Sequence, residues 1–391
     1  MLILLCLSLL TCLIYGQQVW QAANQAPKLR SLPDLAISLP KISVIVPAYN
    51  EADNINDCVQ SILSSTERSP EFLEVWVVDD QSTDETVEMV RSLQAQLNDP
   101  RLHLLLGKPR PTGEYWVGKN WACAQAAEQA TGDYFLFLDA DLRLKRGAIE
   151  AALADAVEHQ ADLLSTAPAV ACGCLAEWLV QPLIITTLLI GFRFQEVNDP
   201  NHESAFAAGM FMLFRRAAYE KIGGHRAVAS EVVEDLELAK RTKTSGLKLR
   251  YLLSSQQAEV RMYRSWSQLW EGWTKNLFLG SQKNWVGMAK FIVALLLICV
   301  VPWLGLGVAI AQGLHSGWNG QNLTAIALSL LIISLHYIIR RIGQRASQIP
   351  PRYWLLSGLG GFLTVMIAIA SIFKTETGQG WTWRGRSLKQ S

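Results

Sequence analysis

Carboxylates recur in short clusters along this chain, and most clusters follow an apolar run. Asp79-Asp80 closes Leu73–Val78, Asp139-Ala140-Asp141 closes Tyr134–Leu138, and Glu234-Asp235 opens a helical stretch. A further acid, Glu51, comes after Pro47-Ala48-Tyr49-Asn50, at the end of the run Ile42–Val46. A lone acid after a strand is usually a helix cap, which is enough to explain Ser82 or Asp84. Several acidic strand ends on one rim need more, because clustered carboxylates repel unless they share a cation. Asp139 and Asp141 are two apart, so in extended chain both point to one side. Their oxygens suit a hard divalent ion that keeps waters and adds diphosphate oxygens.

These residues need a frame. From Lys41 onward, short apolar runs alternate with helical stretches: the β-branched Ile42–Val46, a helix over Glu51–Ser64, Leu73–Val78, a helix over Thr83–Leu97, Leu102–Leu106, a helix from Lys119 to Ala130, and Tyr134–Leu138. Apolar strands alternating with helices predict an α/β domain whose mostly parallel sheet is covered on both faces. Such sheets bind ligands beyond the carboxyl ends of their strands, where the acids stand. No Gly-x-x-x-x-Gly-Lys-Ser/Thr loop and no Gly-x-Gly-x-x-Gly follows a strand, so P-loop and dinucleotide readings lose their motif. Lys119 lies in Trp116-Val117-Gly118-Lys119-Asn120-Trp121-Ala122, at a helix start. A cation among helix N-terminal amides is favourable only when an anion joins it.

Of the 391 residues, 35 are Lys or Arg and 34 Asp or Glu, for a net charge of +1. That balance excludes a nucleic-acid binder working through bulk positive charge. Half of the chain is apolar and only 18% is charged, against about 25% in soluble domains. The composition points to a membrane protein with a soluble part. Seven scattered cysteines offer no disulfide framework, and Cys172 with Cys174 lacks the second pair that a zinc site needs.

The apolar stretch Leu2–Tyr15 lacks a basic n-region and a small-residue cleavage site, and it reads as an uncleaved anchor within residues 1–27. Three spans are expected at Phe291–Ala311, Leu323–Ile339 and Tyr353–Phe373. The linear plan is an anchor, a soluble domain over 41–285, a membrane region over 286–375 and a basic tail over 376–391. Arg340, Arg341, Arg345 and Arg352 are expected in the second short loop. By the positive-inside rule that loop is cytoplasmic, and with it the soluble domain. Four full spans leave the basic tail outside, unless the segment with Gly358, Gly360 and Gly361 is re-entrant.

The sequence resembles family 2 glycosyltransferases of the GT-A (Rossmann-like) fold over roughly residues 41–285. The resemblance is carried by Val44-Ile45-Val46-Pro47-Ala48-Tyr49-Asn50-Glu51, by Val77-Val78-Asp79-Asp80-Gln81-Ser82-Thr83-Asp84, by Asp139-Ala140-Asp141, and by Glu234-Asp235 after the Gly223-Gly224-His225 turn. It implies that Pro47, Ala48, Tyr49, Glu51, Asp79 and Asp80 hold the nucleotide of a sugar donor. It further implies that Lys119 lies near the diphosphate, that Asp141 with Asp139 binds Mg²⁺ or Mn²⁺, and that Asp235 is the general base of an inverting transfer.

Polymer-forming members carry Gln-x-x-Arg-Trp where this chain has Trp270-Glu271-Gly272-Trp273-Thr274-Lys275-Asn276, so the arginine of a polysaccharide synthase is missing. The tryptophans here are either acceptor-side residues or anchors at the lipid headgroups. Together with the Gly-Gly-His turn and the closing Trp383-Arg384-Gly385-Arg386, this element is similar to a membrane subgroup that glycosylates carotenoids, or is associated with hopanoid lipids. The resemblance puts Glu234, His225, Trp270, Trp273 and Lys275 on the acceptor side, with a lipid or carotenoid hydroxyl as acceptor. Polymer synthesis and a catalytically dead scaffold are the alternatives. Leu175–Phe194 is an apolar helix, either on the bilayer surface or in a core.

Overall fold

A computed structural model describes residues 1–31, 39–379, 382–383 and 386–387. The chain forms two compact units that do not follow its linear segments. One comprises Ala26–Val170 and Phe194–Arg261; the other comprises Met1–Gln25, Ala171–Arg193 and Met262–Lys389.

The first unit is built on strands β1 (Ile42–Ala48), β2 (Leu73–Asp79), β3 (Leu102–Leu106), β4 (Tyr134–Leu138), β5 (Leu163–Ala167), β6 (Phe211–Arg215) and β7 (Leu249–Leu253). They form one sheet in the order β3-β2-β1-β4-β6-β5-β7. Only β6 runs antiparallel to its neighbours. The sheet is mixed and mostly parallel, and the expected strand runs all form. Ile42, Val44, Ile45 and Val46 of β1 are fully enclosed, each such side chain contributing about 1.5–3 kcal/mol.

Register explains how distant acids meet. Ala48 pairs with Asp79 across β1 and β2, while Ile45 pairs with Phe137 across β1 and β4. Because these strands are parallel, Asp79-Asp80 and Asp139-Ala140-Asp141 emerge from the same edge beside Pro47-Ala48-Tyr49. The two adjacent helices begin later than their periodicity suggests, at Ile55 and Thr86. Side-chain hydrogen bonds tie up the residues before them: Thr83 N–H donates to Asn50 Oδ1 at 2.8 Å, and Ala52 N–H to Asp84 Oδ2 at 3.1 Å.

In the second unit, four helices among the described residues are long and apolar enough to cross a membrane: Leu2–Gln25, Trp285–Ser316, Gly320–Ser347 and Trp354–Thr377. Two expectations change. The helix before the first short loop continues to Ser316, which leaves only 317–319 between spans. Arg340, Arg341 and Arg345 belong to the helix Gly320–Ser347 rather than to the loop after it, because the helix continues until its left-handed end at Gln348. The segment with Gly358, Gly360 and Gly361 is unbroken helix, Ser357–Thr377. A Cβ at Gly360 would stand 2.5 Å from the Leu179 carbonyl oxygen, so the glycine admits a neighbouring helix. That neighbour, Leu175–Gly191, packs Leu179, Val180 and Ile184 into a core with Trp273 and Phe278.

A π-turn at Leu296–Val300 precedes Pro302. Proline has no N–H to give Ile298, four residues back. His336 Nε2 takes that carbonyl at 2.9 Å, and Ser8 Oγ donates to Leu297 O at 2.7 Å. Two other helices therefore satisfy carbonyls that lipid cannot.

Candidate active site

Lys119 and Asp235 converge on Gly209, two residues before β6. Lys119 follows Gly118 at the start of the helix Gly118–Gln129. Its Nζ lies 2.7 Å from Asp139 Oδ1 and 2.7 Å from Glu234 Oε1, and it donates to Gly209 O at 3.3 Å. The amide of Gly209 in turn donates to Asp235 Oδ2 at 2.8 Å, and Leu236 N–H to Asp235 Oδ1 at 2.9 Å. Asp139 is bound to the same turn, its own N–H donating to Met210 O at 3.2 Å. Lys119 and Asp139 are thus linked through Gly209-Met210 to Asp235, more than 90 residues further along the chain. Side-chain bulk is excluded there, since a Cβ on Gly209 would lie 2.8 Å from Asp235 Oδ2.

Electrostatics follow from burial and company. Burial, then the Glu234 charge beside it, pushes Asp235 up to about 7. Burial acts the same way on Glu234, but the Lys119 ammonium outweighs it and holds this acid below its ordinary range. For Lys119, desolvation is overcome by Asp139 and Glu234, which keep it charged well above the usual lysine value. A permanently charged lysine, an ionised glutamate and an aspartate poised near neutrality stand side by side. Divergent pKa values among neighbouring carboxylates mark acid–base sites.

The residues expected on the nucleotide side gather around the same edge. Asp80 is buried, its N–H donates to Ala48 O at 2.8 Å, and Arg110 Nη2 lies 3.3 Å from its Oδ2. A Cβ at Gly118 would stand 2.2 Å from Asp80 Oδ2, so Gly118 lets the lysine's turn approach this acid. Asp79 receives the Ser82 amide at 3.1 Å and closes its own turn. Tyr49 and Glu51 are half-buried in the loop after β1, with Asn54 Nδ2 donating to Glu51 Oε2 at 2.9 Å. Cys58 marks the convergence: burial lifts its thiol to about 12, and Asp141, Glu51 and Asp139 add to the rise.

His225 is fully buried, with Nδ1 2.9 Å from the Tyr219 hydroxyl and its ring 4.5 Å from that of Phe137. Desolvation keeps it neutral, down to about 3. Trp270, Trp273 and Lys275 belong to the other unit, on the helix Trp266–Gly280. There Trp273 is buried and donates from Nε1 to Gln181 Oε1 at 2.8 Å, while Trp270 packs against Trp266 at 5.7 Å. Of the closing motif, Trp383 and Arg386 fall in the short strands Thr382–Trp383 and Arg386–Ser387; residues 384–385 and 388–391 lie outside the described residues.

Among the described residues, no three His, Cys, Asp or Glu side chains form a metal cage. A hard divalent ion does not require one: it takes one or two carboxylates and completes its shell with phosphate oxygens and water. Asp139 and Asp141 are the two carboxylates expected to provide such a donor set. The Asp139 carboxyl, 35% exposed, already holds a cationic group in Lys119.

A model of the glycosyl transferase family 2 matches residues 43–223. The chain carries a family 2 glycosyltransferase domain. It is 26% identical over 272 residues to the 4,4'-diaponeurosporenoate glycosyltransferase of Staphylococcus haemolyticus, covering 69% of each chain. To the enzyme of the same name from Staphylococcus aureus it is 26% identical over 306 residues, covering 78% of this chain and 77% of the other. Among solved structures it is similar to a mannosyltransferase from Pyrobaculum calidifontis in complex with GDP-Man and Mn²⁺, at 17% identity and a TM-score of 0.55, covering 97% and 98% of the two chains. This likeness is one of fold. In this glycosyltransferase, sequence reasoning missed Gly209 and Arg110. The available signal was the small-residue run Ala207-Ala208-Gly209 before β6, whose importance depends on what it touches.

Proposed function

We propose that this family 2 glycosyltransferase moves a sugar, with inversion, from a nucleoside diphosphate sugar to a hydroxyl of a membrane lipid, with a carotenoid as acceptor. The observation that carries the mechanism is Asp235, gripped by two amides and poised near neutral pH beside Lys119 and Asp139. A base works best when its pKa lies near the working pH. Asp235 takes the hydroxyl proton as the acceptor oxygen bonds to the anomeric carbon. The carbon–oxygen bond to the diphosphate breaks with its electron pair, and the nucleoside diphosphate leaves. One displacement inverts the anomeric centre. Asp80 and the Ala48-Tyr49 turn hold the nucleotide, and Lys119 faces the diphosphate. A divalent cation, held by Asp139 and Asp141, would offset charge on the leaving group.

The relatives' names support a carotenoid and four apolar helices support a membrane acceptor. Arginines at one end of the third span support a cytoplasmic catalytic unit. The named acceptor of those relatives also favours a second reading. It is a carboxylate, which brings no proton to remove. In that case Asp235→Asn would keep most turnover, whereas a hydroxyl acceptor requires the base. A hopanoid or other lipid is the alternative acceptor.

The test is purified full chain in detergent with labelled UDP- and GDP-sugars, Mn²⁺ or Mg²⁺, and both 4,4'-diaponeurosporenoate and a hydroxylated carotenoid. The expected result is a lipid-extractable glycoside of inverted configuration, lost on chelation and restored by metal. Label in long polymer from donor alone would assign a polysaccharide synthase, and no transfer to any lipid would overturn the acceptor class.

A further inference from the structure

Lys243 is at the far end of the helix that begins with Glu234-Asp235. Its ammonium meets four backbone carbonyls of one segment: Glu196 O at 3.1 Å, Asp199 O at 2.8 Å, His202 O at 2.8 Å and Ser204 O at 2.6 Å. Three N–H donors shared among four oxygens leave the group fully satisfied. Ordering a lysine in this way costs side-chain entropy that a solvated surface lysine keeps. Glu196 lies in the short helix Phe194–Asn198, Asp199 O also accepts the His202 amide at 3.2 Å, and Asn201, His202 and Glu203 beyond them are exposed.

That stretch leads directly to the active site. From Phe194 it crosses Tyr251 of β7, whose ring is stacked by Phe194 at 4.6 Å and met edge-on by Phe206 at 4.9 Å. Asn198 pairs with the Tyr251 backbone at 2.7 and 2.9 Å. The stretch ends at Gly209, which holds Asp235 and Lys119. One helix therefore grips the strap twice: Lys243 takes its first part, and Asp235, eight residues or about 12 Å earlier, takes its end.

We propose that Lys243 is a positioning residue of the transferase. It acts as a built-in cation that collects the 196–204 carbonyls, and so sets where Gly209 presents its amide to Asp235. It touches neither donor nor reacting atoms. This role rests on Asp235 being the general base. A misplacement of the base by about 1 Å costs up to a hundredfold in rate.

The experiment uses full-length enzyme with the donor and acceptor pair that the wild type turns over. Lys243→Met keeps the stem and removes every donor; Lys243→Arg keeps the charge, but its planar fork does not match carbonyls set for a compact ammonium. Both should lower kcat about tenfold or more, leave the donor KM unchanged, and speed amide exchange over residues 199–209. In Lys243→Ala, n-propylammonium should restore kcat and slow exchange again. Should Lys243→Met fail to accumulate, the arginine variant carries the same readouts. Unchanged kcat, or a loss that the amine does not rescue, overturns the inference. Asp235→Asn is run in parallel: if it keeps turnover the base assignment falls, whereas a dead Asp235→Asn with normal Lys243 variants removes only the role of Lys243.

Discussion

The amide of Gly209 donates to Oδ2 of Asp235 at 2.8 Å, while the carbonyl of the same glycine accepts from Lys119 at 3.3 Å. One peptide neighbourhood thus joins the proposed base to the cation that faces Asp139.

Replacing this glycine should separate chemistry from donor binding. In Gly209→Ala the new methyl meets Asp235 Oδ2 at 2.8 Å, and either the carboxylate or the turn must move. The expected outcome is a fall in kcat of about a hundredfold, with the nucleotide KM within a few-fold of wild type. Steady-state kinetics at saturating acceptor check it.

The pH profile reports Asp235 directly. With the acid lifted to about 7, kcat/KM for a hydroxyl acceptor should fall on the acid side with an apparent pKa near 7. In Glu234→Gln the like charge beside the base is gone and Lys119 remains, so this limb should move to lower pH. An unmoved limb would mean that Glu234 does not set the base.

Stability should respond with the opposite sign. A carboxyl whose folded pKa is raised supports the fold below its unfolded value, near 4, and that support is lost as pH rises through about 7. Asp235→Asn keeps an oxygen for the Gly209 amide and cannot ionise. It should raise the melting temperature at pH 8 and leave it nearly unchanged at pH 4, as thermal unfolding in detergent would show.

Lys119 neutralises two acids at once. In Lys119→Met, Asp139 and the buried Glu234 face each other without it. The expected loss is about 2–3 kcal/mol, less than for a wholly enclosed pair because Asp139 reaches solvent. Donor affinity should fall as well, measured by titration with nucleoside diphosphate.

In the other unit, His336→Leu leaves the Ile298 carbonyl without a donor beside Pro302. A buried acceptor left unpaired costs about 1–3 kcal/mol. His336→Gln can still donate and should lose less; melting curves of the two variants in the same detergent distinguish them.

Strand runs and the acids at their ends were legible in the chain because a strand inside a covered parallel sheet leaves a local mark: several apolar residues in a row, then polar ones where the sheet stops. The spans were legible for the same reason, since lipid demands about twenty apolar residues in succession. The charged loop was misjudged because hydropathy sees where apolar residues end, whereas the helix Gly320–Ser347 continues through Arg340, Arg341 and Arg345, with Arg340 donating to Trp178 O and Arg352 O.

Local pattern thus names the chemistry-bearing residue types and the edge on which they emerge. Which of them meet is a matter of tertiary contact. The antiparallel insertion of β6 between β4 and β5 delivers Gly209-Met210 to Asp139, Lys119 and Asp235. A glycine before a strand, a histidine in an apolar helix and a lysine at a helix end look ordinary in one dimension. Their roles come from partners 26, 38 and up to 47 residues away, and hydrogen bonding over such distances leaves no periodicity to read.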